Sequence, residues 1–162
     1  MNRKTTAILV GGLIAGTCDI LYATIYSYLR AEVPPMRILQ SVASGLLGSD
    51  AYAGGMPVAL LGLGLHFFMA LVWAAIYVTA SRSWPVLVQK PIFCGAVFGL
   101  FVYLFMNLVV LPLSATPPRT SFPSVLTIIT SLIVHTMLFG VPIALAARRA
   151  AQEQPATVVS PA

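Results

Sequence analysis

The sequence is short of charge. Only 8% of its 162 residues are Asp, Glu, Lys or Arg, against roughly a quarter in an average soluble domain, and a chain so poor in charge cannot cover a water-facing surface. Carboxylates are scarcest: Asp19, Glu32, Asp50 and Glu153 are the four. Also missing are a nucleophile elbow, a phosphate-binding glycine loop, an HExxH pair and a CxxC pair, so the chain is read as non-catalytic. Cysteine is limited to Cys18 and Cys94. At 1.5 Å per helical residue their depths differ by roughly 15 Å, beyond the 7 Å or so that a disulfide tolerates between Cα atoms, and two free thiols are expected. No basic patch is interleaved with aromatic residues, so the net charge of +5 does not imply a nucleic-acid partner.

What is present is apolar. Four runs stand out, 5–29, 56–80, 91–113 and 124–147, and Asp19 is the one formally charged side chain within them. A bilayer core of about 30 Å takes about 20 helical residues. Backbone amides in lipid leave only helices or closed barrels, and barrel strands would alternate in polarity, so the fold class is an all-α bundle of four transmembrane helices. The start, MNRKTTAILVGGLIAG, resembles a signal peptide, but the apolar run continues to Leu29 and no small-x-small site follows, so it is read as an uncleaved span. Arg3, Lys4, Arg82, Lys90, Arg148 and Arg149 fall on one side and Arg30, Arg37 and Arg119 on the other. This bias places both termini in the cytoplasm of a bacterial cell, with the spans in the inner membrane.

The spans carry a weak internal repeat. Gly95 and Gly99 match Gly12 and Gly16 at an offset of 83, and His135 matches His66 at an offset of 69, which suggests two tandem helical hairpins. The difference falls in the first outer loop. There, after Pro34 and Pro35, residues 36–48 place Leu39, Val42, Ala43 and Leu46 at i, i+3, i+4 and i+7. The pattern predicts a short amphipathic helix, either lying on the outer membrane face or closing the bundle's outer mouth as a lid. Residues 150–162 have too little apolar content to fold and are expected to form a disordered cytoplasmic tail after a four-helix domain over 1–149.

GAVFG at Gly95 to Gly99, then Met106, PLSATPP at Pro112 to Pro118, His135 and the closing Arg148-Arg149 resemble the YagU-like family of small bacterial inner-membrane proteins. The resemblance covers mainly residues 90–149 and departs from the family in its shorter loop at 30–55. It implies a multi-pass inner-membrane protein, with no reaction, cofactor or substrate attached.

Gly12, Gly16, Asp19, Ala23 and Tyr26 lie within about 40° of one line along the first helix. Gly12 and Gly16, like Gly95 and Gly99, have the small-xxx-small spacing that lets helix backbones approach in lipid. Asp19, His66 and His135 all fall roughly 18–21 Å from the cytoplasmic ends of their helices. A charge at a helix centre costs about 2.5–3.5 kcal/mol on insertion scales, so Asp19 is expected to face inward and meet the imidazoles, with Tyr22, Tyr103 and Asn107 as polar neighbours. Three readings of this cluster stay open: a structural network that sets helix register, a proton-linked site, and a divalent-metal site on Asp19, His66 and His135. Haem between His66 and His135 is conceivable, but nothing else in the sequence demands it. Pro112 and Pro142 are expected to kink the third and fourth helices. Two functions follow from this. One is an accessory protein that packs with itself or with a larger membrane complex; the other is a proton-coupled or small-solute transport element.

Overall fold

The computed structural model describes residues 2–118 and 122–152. Among them there is no strand, and four helices are long and apolar enough to cross a membrane: Arg3–Ala31 (α1), Gly55–Ser83 (α3), Pro91–Leu113 (α5) and Val125–Gln152 (α6). A helix over Pro35–Leu47 (α2) and a 3₁₀ segment over Gly48–Ala53 join α1 to α3, and a single turn over Val86–Gln89 (α4) precedes α5. The end that carries residues 2, 84–90 and 152 is termed the inner end, after the orientation expected from sequence, and the opposite end the outer. The fourth helix runs on through Gln152, so residues 150–152, read from sequence as tail, continue it. Residues 153–162 lie outside the described residues, as does Arg119 of the topology count.

Local chemistry explains the helix ends. The Asn2 side chain accepts the amide of Lys4, and Ser124 accepts that of Thr127, each satisfying a first-turn donor. α1 stops where Glu32 turns left-handed, at φ 52°, and donates its amide to the Tyr28 carbonyl at 2.9 Å. The Pro34-Pro35 pair then restarts the chain with Pro35 in the first turn of α2.

Two spans are not plain α-helices. Met106–Val110 in α5 and Val134–Gly140 in α6 are π-helical, and each lies just before a proline, Pro112 or Pro142. Proline offers no amide to the carbonyl four residues back, and its ring crowds that carbonyl, so the helix widens to i→i+5 bonding. The kinks expected from sequence therefore take the form of wide turns, and these turns contain Asn107 and His135.

Small residues set the packing. α1 lies along α3 and along the inner part of α6, and α5 lies along α6. A methyl on Gly12 would come within 3.2 Å of the Leu71 Cα, one on Gly16 within 3.1 Å of the Ala70 Cβ, and one on Gly11 within 3.2 Å of the Ile143 Cα. α5 and α6 approach more closely still. A methyl on Gly95 would meet the Val141 Cα at 2.8 Å, and one on Gly99 would overlap the His135 carbonyl oxygen. Aromatic rings fill what remains between α3 and α5: Trp73 meets Phe98, Phe101 and Phe105 edge-on, and Tyr77 meets Phe98. Lipid provides no hydrophobic drive between helices, so this contact packing has to hold the bundle together.

The inner and outer halves differ. No residue of Met106–Leu113 or Val125–Ile133 is buried. Toward the outer end α5 and α6 are thus less deeply packed, although Met106 still rests against the core. α2 covers this region from the α1–α3 side: the Gly62 face of α3 receives the Leu39 backbone, and the Ala115 amide donates to the Gly45 carbonyl at 3.0 Å. The face α2 turns to the protein is Gln40, Ala43 and Ser44, offset from the apolar stripe read from sequence. Gln40 donates to the Gly55 carbonyl at 3.1 Å, while Met36, Leu46 and Leu47 are exposed.

Candidate functional site

A seam of polar side chains runs between α1 and α6. At its deep end His135 Nδ1 lies 3.6 Å from Asp19 Oδ1, with the two side chains 19% and 17% exposed. Nδ1 is also 3.0 Å from the Ser131 carbonyl. A carbonyl only accepts, so Nδ1 carries the hydrogen and Nε2 is the basic nitrogen of the neutral ring. The Tyr103 ring sits edge-on to the imidazole at 5.2 Å, and Phe139 stacks on it at 5.9 Å. Asn107 donates to the Tyr103 carbonyl one turn back along α5 at 2.9 Å.

Outward of this pair lie two hydroxyl clusters, with no hydroxyl-to-hydroxyl hydrogen bond between them among the described residues. Thr130 donates to the Leu126 carbonyl at 2.8 Å, which leaves the Tyr22 hydroxyl to donate to Thr130 at 2.5 Å; Ser131 lies 3.4 Å from the same Tyr22 oxygen. Tyr26 bonds Thr127 at 2.9 Å, and Thr127 reaches Ser124 at 2.8 Å. Ser124 caps α6 and is exposed. It stands eleven positions before His135, about 16 Å along the helix. Long tyrosine side chains bridge two helices that have parted, which is why this polar contact persists where the backbones do not pack.

His66 is not part of the seam. Its Nε2 donates to the Gly16 carbonyl at 2.8 Å, and its ring meets Phe67 edge-on. No hydrogen bond or ion pair joins it to Asp19 or His135 among the described residues. Thus Asp19 meets His135 and Tyr103 packs on His135, with Asn107 bonded to the Tyr103 carbonyl, while Tyr22 lies outward on Thr130 and Ser131 and His66 ties α3 to α1 on another face. The expected meeting of three ionisable groups is a meeting of two. The reason lies in Gly16: a glycine there brings α3 near enough for its imidazole to reach the α1 backbone before it could reach the carboxylate. Among the described residues no three His, Cys, Asp or Glu side chains gather. Cys18 and Cys94 are free thiols.

Thr127 and Thr130 escaped the sequence reading. A threonine in an apolar helix ordinarily bonds its own backbone, as Thr24 and Thr136 do here. The available signal was the spacing Ser124, Thr127, Ser131 and His135, at i, i+3, i+7 and i+11 on one face.

The fold and the seam together define a class: an all-helical protein with four membrane-length apolar helices and a polar contact within them. Comparison of the chain with protein-family models, with curated proteins and with solved structures finds no match.

Proposed function

We propose that this chain is a non-catalytic, proton-linked element of the bacterial inner membrane, with both termini cytoplasmic, in which the Asp19–His135 pair exchanges a proton with the outer side. The observation that carries the reading is the ordered run of polar groups along one face, the Ser124–Thr127–Tyr26 and Thr130–Tyr22–Ser131 clusters followed by the Asp19–His135 contact. A carboxylate and an imidazole are both groups that can take up and release a proton. Hydroxyls can both accept and donate, and water entering between the two clusters would join them into a relay. On the inner side the α5–α6 contact at Gly95, Gly99 and Gly140 closes the bundle by backbone packing, which gives the two sides different access.

Within this proposal the four spans form two related hairpins. Gly16 faces Phe67 and Gly99 faces Thr136; Gly12 faces Leu71 and Gly95 faces Gly140. Each pair of partners keeps the offset of 69 seen for the histidines. The α2 segment acts as a lid anchored through Gly45 and Gly62, and the resemblance to YagU-like proteins over residues 90–149 is consistent with the membrane assignment.

The test is proton flux into liposomes under a pH gradient, parent against Asp19→Asn. Flux in the parent that the variant loses is expected. Equal flux in both, at the level of empty liposomes, rejects the reading.

The second reading, an accessory subunit that packs with itself or a larger membrane complex, is favoured by the absence of any buried residue in Met106–Leu113 and Val125–Ile133. Its contact would use those outer halves rather than the small-residue faces, because Gly12, Gly16, Gly95 and Gly99 are occupied within the chain. The mass of the detergent-solubilised particle by light scattering separates a lone chain from an assembly.

A further inference from the structure

A second site lies at the opposite end of the bundle, independent of the seam. Between the start of α1, the end of α3 and the end of α6 is a cavity of about 520 Å³, lined by Arg3, Lys4 and Arg82 with Asn2, Ser81 and alanines of α6. Among the described residues no carboxylate lines it, and none of the three cations takes part in an ion pair. Three like charges around one cavity repel one another unless something negative sits among them.

Helix electrostatics does not account for the arrangement. Arg82 sits in the last turn of α3, where the carbonyl end of a helix favours a cation. Arg3 and Lys4 occupy the first turn of α1, which has no acidic residue, and there the dipole opposes positive charge. The lysine and arginine bias of one membrane face explains why such residues occur on this side. It does not explain why cations from two helices line a common cavity. Donors abound in it: two guanidinium groups, an ammonium, and the Asn2 amide nitrogen, since the Asn2 oxygen is taken by the Lys4 amide at 3.2 Å. Ser81 spends its hydroxyl hydrogen on the Val78 carbonyl at 2.9 Å and so offers an acceptor.

We infer that this cavity binds a phosphate group at the membrane surface, either as the headgroup of an anionic phospholipid or as a free phosphate. Forked guanidinium donors match phosphate oxygens in pairs, and lysine adds a point charge. Basic pockets between spanning helices at this level are suited to anionic headgroups.

The experiment measures the thermal unfolding midpoint of the full chain in a neutral detergent, titrated separately with inorganic phosphate, short-chain phosphatidylglycerol and short-chain phosphatidylcholine. The parent is expected to show a saturable rise with phosphatidylglycerol, with inorganic phosphate, or with both. A rise with the lipid alone assigns a headgroup, and a rise with inorganic phosphate shows that the phosphate group suffices. Apparent affinity should fall by about tenfold or more in Arg82→Gln, fall further when Arg3→Gln is added, and hold in Arg30→Gln at the other end of α1. No rise with either probe in the parent overturns the inference whether or not the variants fold. So do an equal response to phosphatidylcholine and a response undiminished in Arg82→Gln. Because Asp19 plays no part, loss of proton flux in Asp19→Asn leaves this result unaffected.

Discussion

Placing one methyl group on Gly99 tests how the inner half of the bundle is closed. The new Cβ in Gly99→Ala would overlap the His135 carbonyl oxygen and come within 2.7 Å of its carbonyl carbon and 2.8 Å of the Thr136 Cα. Non-bonded carbons rest at about 3.5–4.0 Å, so α5 and α6 must part by about 1 Å. All three obstacles are backbone atoms, which cannot rotate aside, and the upper part of the usual overpacking range applies, about 2–3 kcal/mol. Alanine returns up to about 1 kcal/mol through its helix propensity. Gly64→Ala is the control, since nothing lies within 4 Å of its Cβ and it carries the propensity gain alone. The difference between the two variants therefore isolates the steric effect, and 2 kcal/mol corresponds to about a 30-fold change in the folded-to-unfolded ratio. Unfolding by sodium dodecyl sulfate from mild-detergent micelles, followed by circular dichroism, reads it. If Gly99→Ala and Gly64→Ala unfold together, the close approach of α5 to α6 is wrong. His135 belongs to the displaced segment, so Gly99→Ala is also expected to lower any proton flux.

Replacing His66 with Leu removes its bond to the Gly16 carbonyl at 2.8 Å; a loss of about 0.6–2 kcal/mol in the same assay is expected, with proton flux retained, and abolished flux would place His66 back in the functional cluster. Trp73 Nε1 is buried with no hydrogen-bond acceptor among the described residues, and an orphan donor costs about 1–3 kcal/mol. Trp73→Phe should therefore change stability by no more than about 1 kcal/mol, because relief of that donor offsets the lost ring area; a loss above about 3 kcal/mol would mean the indole has an acceptor. In Pro142→Ala the wide turn at Val134–Gly140 is free to return to α bonding, which turns the residues before it by about 100° relative to those after. The His135 side-chain nuclear magnetic resonance signals should then shift as it leaves Asp19, and unchanged signals would show that the proline does not hold the turn.

Membrane-length helices were legible from the sequence because they depend on composition along a stretch of chain. The third span, 91–113, has the bounds of α5, and the other three differ by a few residues at their ends. Burial of Gly12, Gly16, Gly95 and Gly99 likewise follows from a local pattern, since small residues four apart make a groove on whichever face they share. Pro112 and Pro142 announced distortion through their missing amides, although not that the distortion would be a π turn around Asn107 and His135.

Which polar group meets which was decided by the tertiary structure alone. Depth along a helix can be counted from sequence, and Asp19, His66 and His135 share a level by that count. The direction in which each points cannot be, because 100° per residue fails across a π turn and because a side chain reaches whatever the neighbouring backbone brings near. His66 finds the Gly16 carbonyl, exposed by the close approach of α3, while His135, carried on the widened turn before Pro142, finds Asp19. The offset of α2, with Gln40 and Ser44 inward and Leu46 outward, has the same origin. Composition settles what the chain dissolves in; the facing of its helices depends on contacts between residues far apart in sequence, which no local pattern encodes.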